Sequence, residues 1–213
     1  MKFENTSVFN LDGAIRGMRN PLQSWSKSDS HYSNGDKKYV IGENDMKLMK
    51  NLLRAGSSDA KFMRQIMVCV DITAPLFWFS EFDTYEVGTV ANSTSTMHTI
   101  HKDNITRDSF DFKYGVDEFA DRFMDSAIDL INDLQVKMNS VGDKNARNDI
   151  RELIKGVLPS SFMQTRTWTS NYAVLRNMYQ QRKNHRLSEW RCDFCEWVKS
   201  LPYNELITED FNN

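Results

Sequence analysis

Residues 158–182 read LPSSFMQTRTWTSNYAVLRNMYQQR. Leu158-Pro159 follows Gly156, and glycine with proline stops the helical pattern over Asn145–Lys155. The spacing predicts a helix from near Thr169 to about Arg182. Another follows over roughly 187–201 and stops at Pro202. The tail from about 203, ending NELITEDFNN, reads as polar and frayed.

Upstream lies the longest helical pattern, Val116–Val141, closed by Gly142. Phe119, Phe123, Ala127, Leu130, Ile131, Leu134 and Met138 recur at three and four, and define its expected core face. Residues 62–72, FMRQIMVCVDI, read as the best strand. Ile66, Val68, Val70 and Ile72 share one face, while Met67 and Cys69 on the other suggest burial on both. Thr73-Ala74-Pro75 looks like a helix start with Thr73 as cap. That helix would carry Leu76, Phe77, Trp78, Phe79 and Phe82 to about Tyr85, with Gly88 ending it. At helical spacing these aromatics read as core or subunit interface rather than as a ring-stacking site. Residues 89–98 are rich in Ser and Thr and read as a loop or extended arm. Asn44 is expected to cap a helix to Ala55 that presents Met46, Met49, Leu52 and Leu53, with Gly56 beyond it. Before it, β-like pieces at Ser7–Leu11 and Lys38–Ile41 flank a polar loop. Strands and helices segregate rather than alternate, so the fold class is α+β, in one domain over 1–213.

Apolar residues make up 40% and charged residues 26%, which excludes a disordered chain. The formal net charge is −2, so there is no overall basic excess to hold long nucleic acid. Of the three cysteines, Cys192 and Cys195 form a lone C-x-x-C inside a helical pattern, which reads as packing. His98 and His101 have H-x-x-H spacing without an evident third ligand, so no metal site is expected. No signal-peptide or membrane-spanning pattern is present, and a cytoplasmic protein is expected, a virus-infected bacterial cell included.

The stretch 158–182 resembles the C-terminal signature of flavin-dependent thymidylate synthases (ThyX): Leu158-Pro159, Thr165, Thr169, Asn171 and Arg182. Residues 73–98, TAPLFWFSEFDTYEVGTVANSTSTMH, lie where that family carries its Arg-His-Arg motif. The resemblance implies an α+β fold with an antiparallel sheet, assembled as a homotetramer with sites where subunits meet. It implies FAD as hydride carrier and dUMP as substrate, with catalysis resting on positioning and electrostatics. Carried over residue by residue, it makes Asn92, Ser93, Ser95, Lys155 and Arg182 the nucleotide-binding set. Arg182 would meet the uracil edge and Ser95 the phosphate. Asn171 and Tyr85 become the cofactor-side positions.

The departures fall on the charged residues. The Arg-His-Arg motif lands on Thr84-Tyr85-Glu86 or Tyr85-Glu86-Val87, Ser93 stands for the motif glutamate, and Met97-His98 for the final Arg-Tyr. Lys155 replaces an arginine, keeping the cation but not the bidentate fork. Glu81, Asp83 and Glu86 make the segment negative, which repels a diphosphate cofactor. Two functions follow as expectations. One is a divergent flavin-linked synthase acting on a pyrimidine nucleotide. The other is a non-catalytic nucleotide-binding protein, such as a phage sponge for a defence signal.

Overall fold

The computed structural model describes residues 1–35, 38–100 and 102–211, with Met97 by its backbone alone. In chain order the elements are β1 (Lys2–Phe9), α1 (Leu11–Arg19), β2 (His31–Tyr32), β3 (Tyr39–Val40), α2 (Glu43–Ala55), β4 (Met67–Pro75) and α3 (Leu76–Phe82). There follow β5 (Val90–Ser93), α4 (Thr96–Thr99), α5 (Glu118–Ser140), α6 (Lys144–Val157), β6 (Met163–Asn171), α7 (Tyr172–Arg182), α8 (Cys195–Lys199) and α9 (Glu205–Thr208). One sheet has the order β1-β4-β6-β5, and β2 pairs antiparallel with β3. The chain divides into two compact units. The first comprises 1–2, 72–84 and 92–166; the second comprises 3–71, 85–91 and 167–213.

In the first unit, α5 and α6 pack around Met124, Ile128, Ile131, Leu134, Met138, Ile150 and Ile154, joined by Ile100, Ile105 and Phe110. Each helix is capped by an aspartate: Asp117 accepts from Ala120 N–H, and Asp143 from Ala146 N–H, both at 2.8 Å. The expected face of α5 is buried in its C-terminal half, at Ile131, Leu134 and Met138, but not in its N-terminal half. Phe119 is 73% exposed and Phe123 64%, and Leu130 is also exposed. That half buries Met124 and Ile128, each one residue beyond Phe123 and Ala127, where loop residues Ile100, Ile105 and Phe110 join the same core. Gln135 is buried there and donates to the carbonyl of Ile100.

The β4 alternation holds, with Val68, Val70, Ile72 and Ala74 buried. Its other face, including Met67 and Cys69, is only half-buried. The strand starts later than the sequence suggests. Residues 60–64 lack β-branched side chains and form a 3₁₀ turn that buries Phe62 and Met63. It also runs on through Thr73, which shares a hydrogen bond with Thr165 at 2.8 Å rather than capping a helix. Helix α3 begins at Leu76, where the N–H groups of Leu76 and Phe77 donate to the carbonyls of Phe162 and Ser160. It ends at Phe82, short of the expected Tyr85. Of residues 89–98, 90–93 are extended, one of the two expected forms, and make a strand at the sheet edge, while Thr96–Thr99 form a turn of helix. In the first quarter of the chain the sequence pattern missed α1.

In the second unit, α2 is capped from a distance. The Asp29 carboxylate accepts from Asn44 and Asp45 N–H at 2.9 and 3.2 Å, so the cap is not the Asn44 side chain. Gly42 permits this approach, since a Cβ there would fall 2.2 Å from the Asp29 carboxylate. Next to it, Asp45 is fully buried. It accepts from Arg19 Nε, from the hydroxyls of Ser28 and Ser30, and from the N–H groups of Asp29 and Ser30. The C-terminal stretch is not frayed as far as Phe211, and the last two residues of that reading, Asn212 and Asn213, lie outside the described residues. Leu206, Ile207 and Phe211 are buried, and Arg176 donates to the carbonyls of Leu206, Ile207 and Glu209 while stacking over Phe211 at 4.9 Å. Before α8, residues 189–194 form π-helix, with Cys192 exposed and Cys195 buried.

Candidate nucleotide site

Arg182 closes α7, and its position is set by two aromatic rings. Its Nε donates to the Tyr85 hydroxyl at 2.9 Å, and that hydroxyl donates on to Gln181 Oε1 at 2.8 Å. The guanidinium lies 4.7 Å from the centre of the Trp190 ring and 5.5 Å from that of Tyr85. Such contacts contribute about 0.5–2 kcal/mol each and fix the plane of the fork. The π-helical turn carries Trp190 fully buried beneath, edge-on to His185 at 6.4 Å. Sequence reasoning found Arg182 and Tyr85 but not Trp190, which is one more apolar residue of a helical pattern until the chain folds.

Asn171 serves α7 itself: its Oδ1 accepts from Val174 N–H at 3.1 Å. Its Nδ2 lies beside Gly88, where a Cβ would sit 3.5 Å away. With φ at +78°, Gly88 holds a backbone conformation that side chains disfavour, so the turn after Tyr85 can pass close to the helix start.

In the first unit, Asn92 and Ser93 end β5 and are exposed. Thr94 locks the strand end to β6, its N–H donating to Thr165 O at 2.9 Å and its carbonyl accepting from Gln164 Nε2. Ser95 is half-buried and its carbonyl accepts from His98, Thr99 and the Thr99 hydroxyl. Lys155 sits exposed in the last turn of α6. Nearby in sequence, Arg166 is taken up by structure. It pairs with Asp83 at 2.6 Å, donates to Gln164, and lies 3.9 Å over the Phe79 ring. Trp78, Phe79 and Phe82 are buried against one another.

The structure thus joins Arg182 to Tyr85, and holds Asn92, Ser93, Ser95 and Lys155 in the other unit from Arg182 and Asn171. The clefts described in the second unit, of about 250–800 Å³, are lined by none of these seven residues. His101 lies outside the described residues, and among the described residues no group of three or more His, Cys, Asp or Glu could hold a metal. Among them also, no helix is long and apolar enough to cross a membrane.

The fold is shared with solved enzymes. A ThyX flavin-dependent thymidylate synthase from Helicobacter pylori, complexed with FAD and dUMP, superposes with a TM-score of 0.65 at 14% identity, covering 100% of both chains. A second structure of ThyX from that organism, also with FAD and dUMP, gives 0.70 at 15% identity, covering 98% of this chain and 97% of the other. The chain therefore has the ThyX fold. No family model matches the sequence, and no curated protein matches it.

Proposed function

We propose that this protein binds a pyrimidine nucleotide at the junctions of a homotetramer built on the ThyX fold, without the family's dUMP methylation. The observation that carries the reading is Arg182, its fork preset by Tyr85 and Trp190 at the end of α7. A guanidinium so held gives up little freedom when it meets a base edge or phosphate. Lys155 would add a compact cation, and Ser95 with its neighbours hydroxyl and backbone donors. The assembly is supported by Phe119, Phe123 and Leu130, exposed apolar residues of α5 at spacings of four and seven, which share one side of the helix. A second copy of the chain would cover it.

The residues do not fit FAD as the family holds it. In place of Arg-His-Arg stand Thr84-Tyr85-Glu86 or Tyr85-Glu86-Val87, without a cation in either placement, and the Tyr85 hydroxyl is already committed to Arg182 and Gln181. This favours a binding protein that sequesters its nucleotide over one that alters it. Calorimetry with dUMP as probe tests the site. Arg182→Ala should lose a hydrogen bond to a charged group, about 1.5–3 kcal/mol, or roughly ten- to a hundredfold in affinity. Lys155→Ala should weaken binding more at low salt than at high salt. Unchanged affinity in the folded double variant would place the site elsewhere.

A further inference from the structure

Helix α6 carries Lys144, Arg147, Arg151 and Lys155 at spacings of three, four and four. At about 100° per residue these fall within one narrow stripe of the helix surface. Lys144, Arg147 and Lys155 are exposed and Arg151 half-buried. Among the described residues none of the four makes an ion pair, whereas Arg19, Lys50, Arg107, Arg122, Arg166 and Lys199 each pair with a carboxylate. The nearest acid in sequence, Asp143, turns its carboxylate onto the helix's own first turn. By the same angular count Asp149 lies on another side of the helix, while Glu152 flanks the Lys155 end of the stripe, about 60° round from it, without pairing to it. Two of the cations are also held in place: Arg147 Nη2 donates to Val141 O, and Arg151 Nη1 to Asn148 Oδ1, both at 2.8 Å.

A row of cations without ion-pair partners suits an anion that repeats. Along the axis the four side chains follow one another every 4.5–6 Å or so, over about 16 Å in all. That is wider than the interval between phosphates of a pyrophosphate, and it suits successive phosphodiesters of an extended single strand. We propose that α6 binds the backbone of a short single-stranded oligonucleotide, with Lys155 at the end that also serves the nucleotide pocket. The whole-chain charge of −2 conceals this, since it averages one basic stripe with acids elsewhere. The proposal rests on the nucleotide-binding reading only for the role of Lys155.

Fluorescence anisotropy with a labelled oligothymidylate of about six residues, alongside dUMP calorimetry, separates the two. Each phosphate neutralised on a single strand contributes about 0.7 to the slope of log affinity against log salt, so four give roughly −3. Lys144→Gln with Arg147→Gln should cut that slope by about half and leave dUMP affinity unchanged. Oligonucleotide binding that keeps this dependence while dUMP fails to bind would uphold the stripe and overturn the pocket. An oligonucleotide that fails to bind, or a slope indifferent to the double substitution, would overturn the stripe. Binding of the stripe to anionic lipid vesicles in place of the oligonucleotide would overturn it as well.

Discussion

Asp45→Asn should be among the most damaging single substitutions outside the candidate site. The wild-type carboxylate is fully buried, with one oxygen on Arg19 Nε at 2.6 Å and the other receiving four donors at 2.6–3.2 Å. An asparagine has one acceptor oxygen. If it faces the serines and the N–H groups of Asp29 and Ser30, its amide must face Arg19, setting donor against donor. Arg19 is itself 4% exposed, so its charge would be left buried without a counter-ion. Losing one partner of a buried pair costs about 3–5 kcal/mol. Arg19→Met should cost less, because Asp45 keeps two hydroxyls and two N–H donors. Burial alone would raise the Asp45 carboxyl, but Ser28, Ser30 and the Arg19 guanidinium outweigh it and hold the group below the usual carboxylate range. A depressed folded value means the unfolded chain takes up the proton first. The contribution is therefore complete above the ordinary value near 4 and is lost as the pH falls below it. Urea unfolding at one fixed protein concentration, followed by tryptophan fluorescence at pH 7 and pH 3.5, measures both effects. A loss under 1 kcal/mol for Asp45→Asn at pH 7, or a larger loss for Arg19→Met, would refute this account of the network.

Phe119→Glu with Phe123→Glu should leave the α5–α6 core intact while breaking the assembly; light scattering should fall from four chain masses toward one, and a wild-type protein already at one would overturn the tetramer. Purified protein should carry no stoichiometric flavin, and added FAD should bind weakly; a yellow preparation, or dUMP-dependent oxidation of reduced flavin, would contradict the fit argued from Tyr85. Arg176→Ala removes donors to three carbonyls and the stack on Phe211, and should expose the chain beyond Tyr203 to limited proteolysis; an unchanged cleavage pattern would mean Leu206 and Ile207 anchor the tail alone.

The alternation of Val68, Val70 and Ile72 was legible because buried strand residues must repeat every second position. So was the helix ending at Arg182, although the sequence suggests a start near Thr169, which belongs to β6; the helix begins at Tyr172, after the Asn171 cap. What stayed hidden depends on partners far along the chain. Thr73 reads as a cap until Thr165 arrives across the sheet, and the cap of α2 belongs to Asp29, which no local pattern shows. Strand β5 is exposed throughout and carries no apolar alternation to mark it. Polar NELITEDFNN conceals Leu206 and Ile207, whose burial needs Arg176 to satisfy the carbonyls around them. At the candidate site, resemblance located Arg182 and Tyr85 singly, and only the fold shows that one holds the other.

The placement of the two neighbouring cysteines has a practical use. Cys192 is open to solvent on the π-helical turn that carries Trp190, while burial both shields Cys195 and pushes its thiol up, and Cys69 is half-buried. A maleimide dye under brief labelling should therefore attach at Cys192 first, in the wild-type chain and two residues from the ring beneath Arg182. The protein carries its own attachment point for an optical probe, from which occupancy of the Arg182 end can be followed in real time without altering a residue.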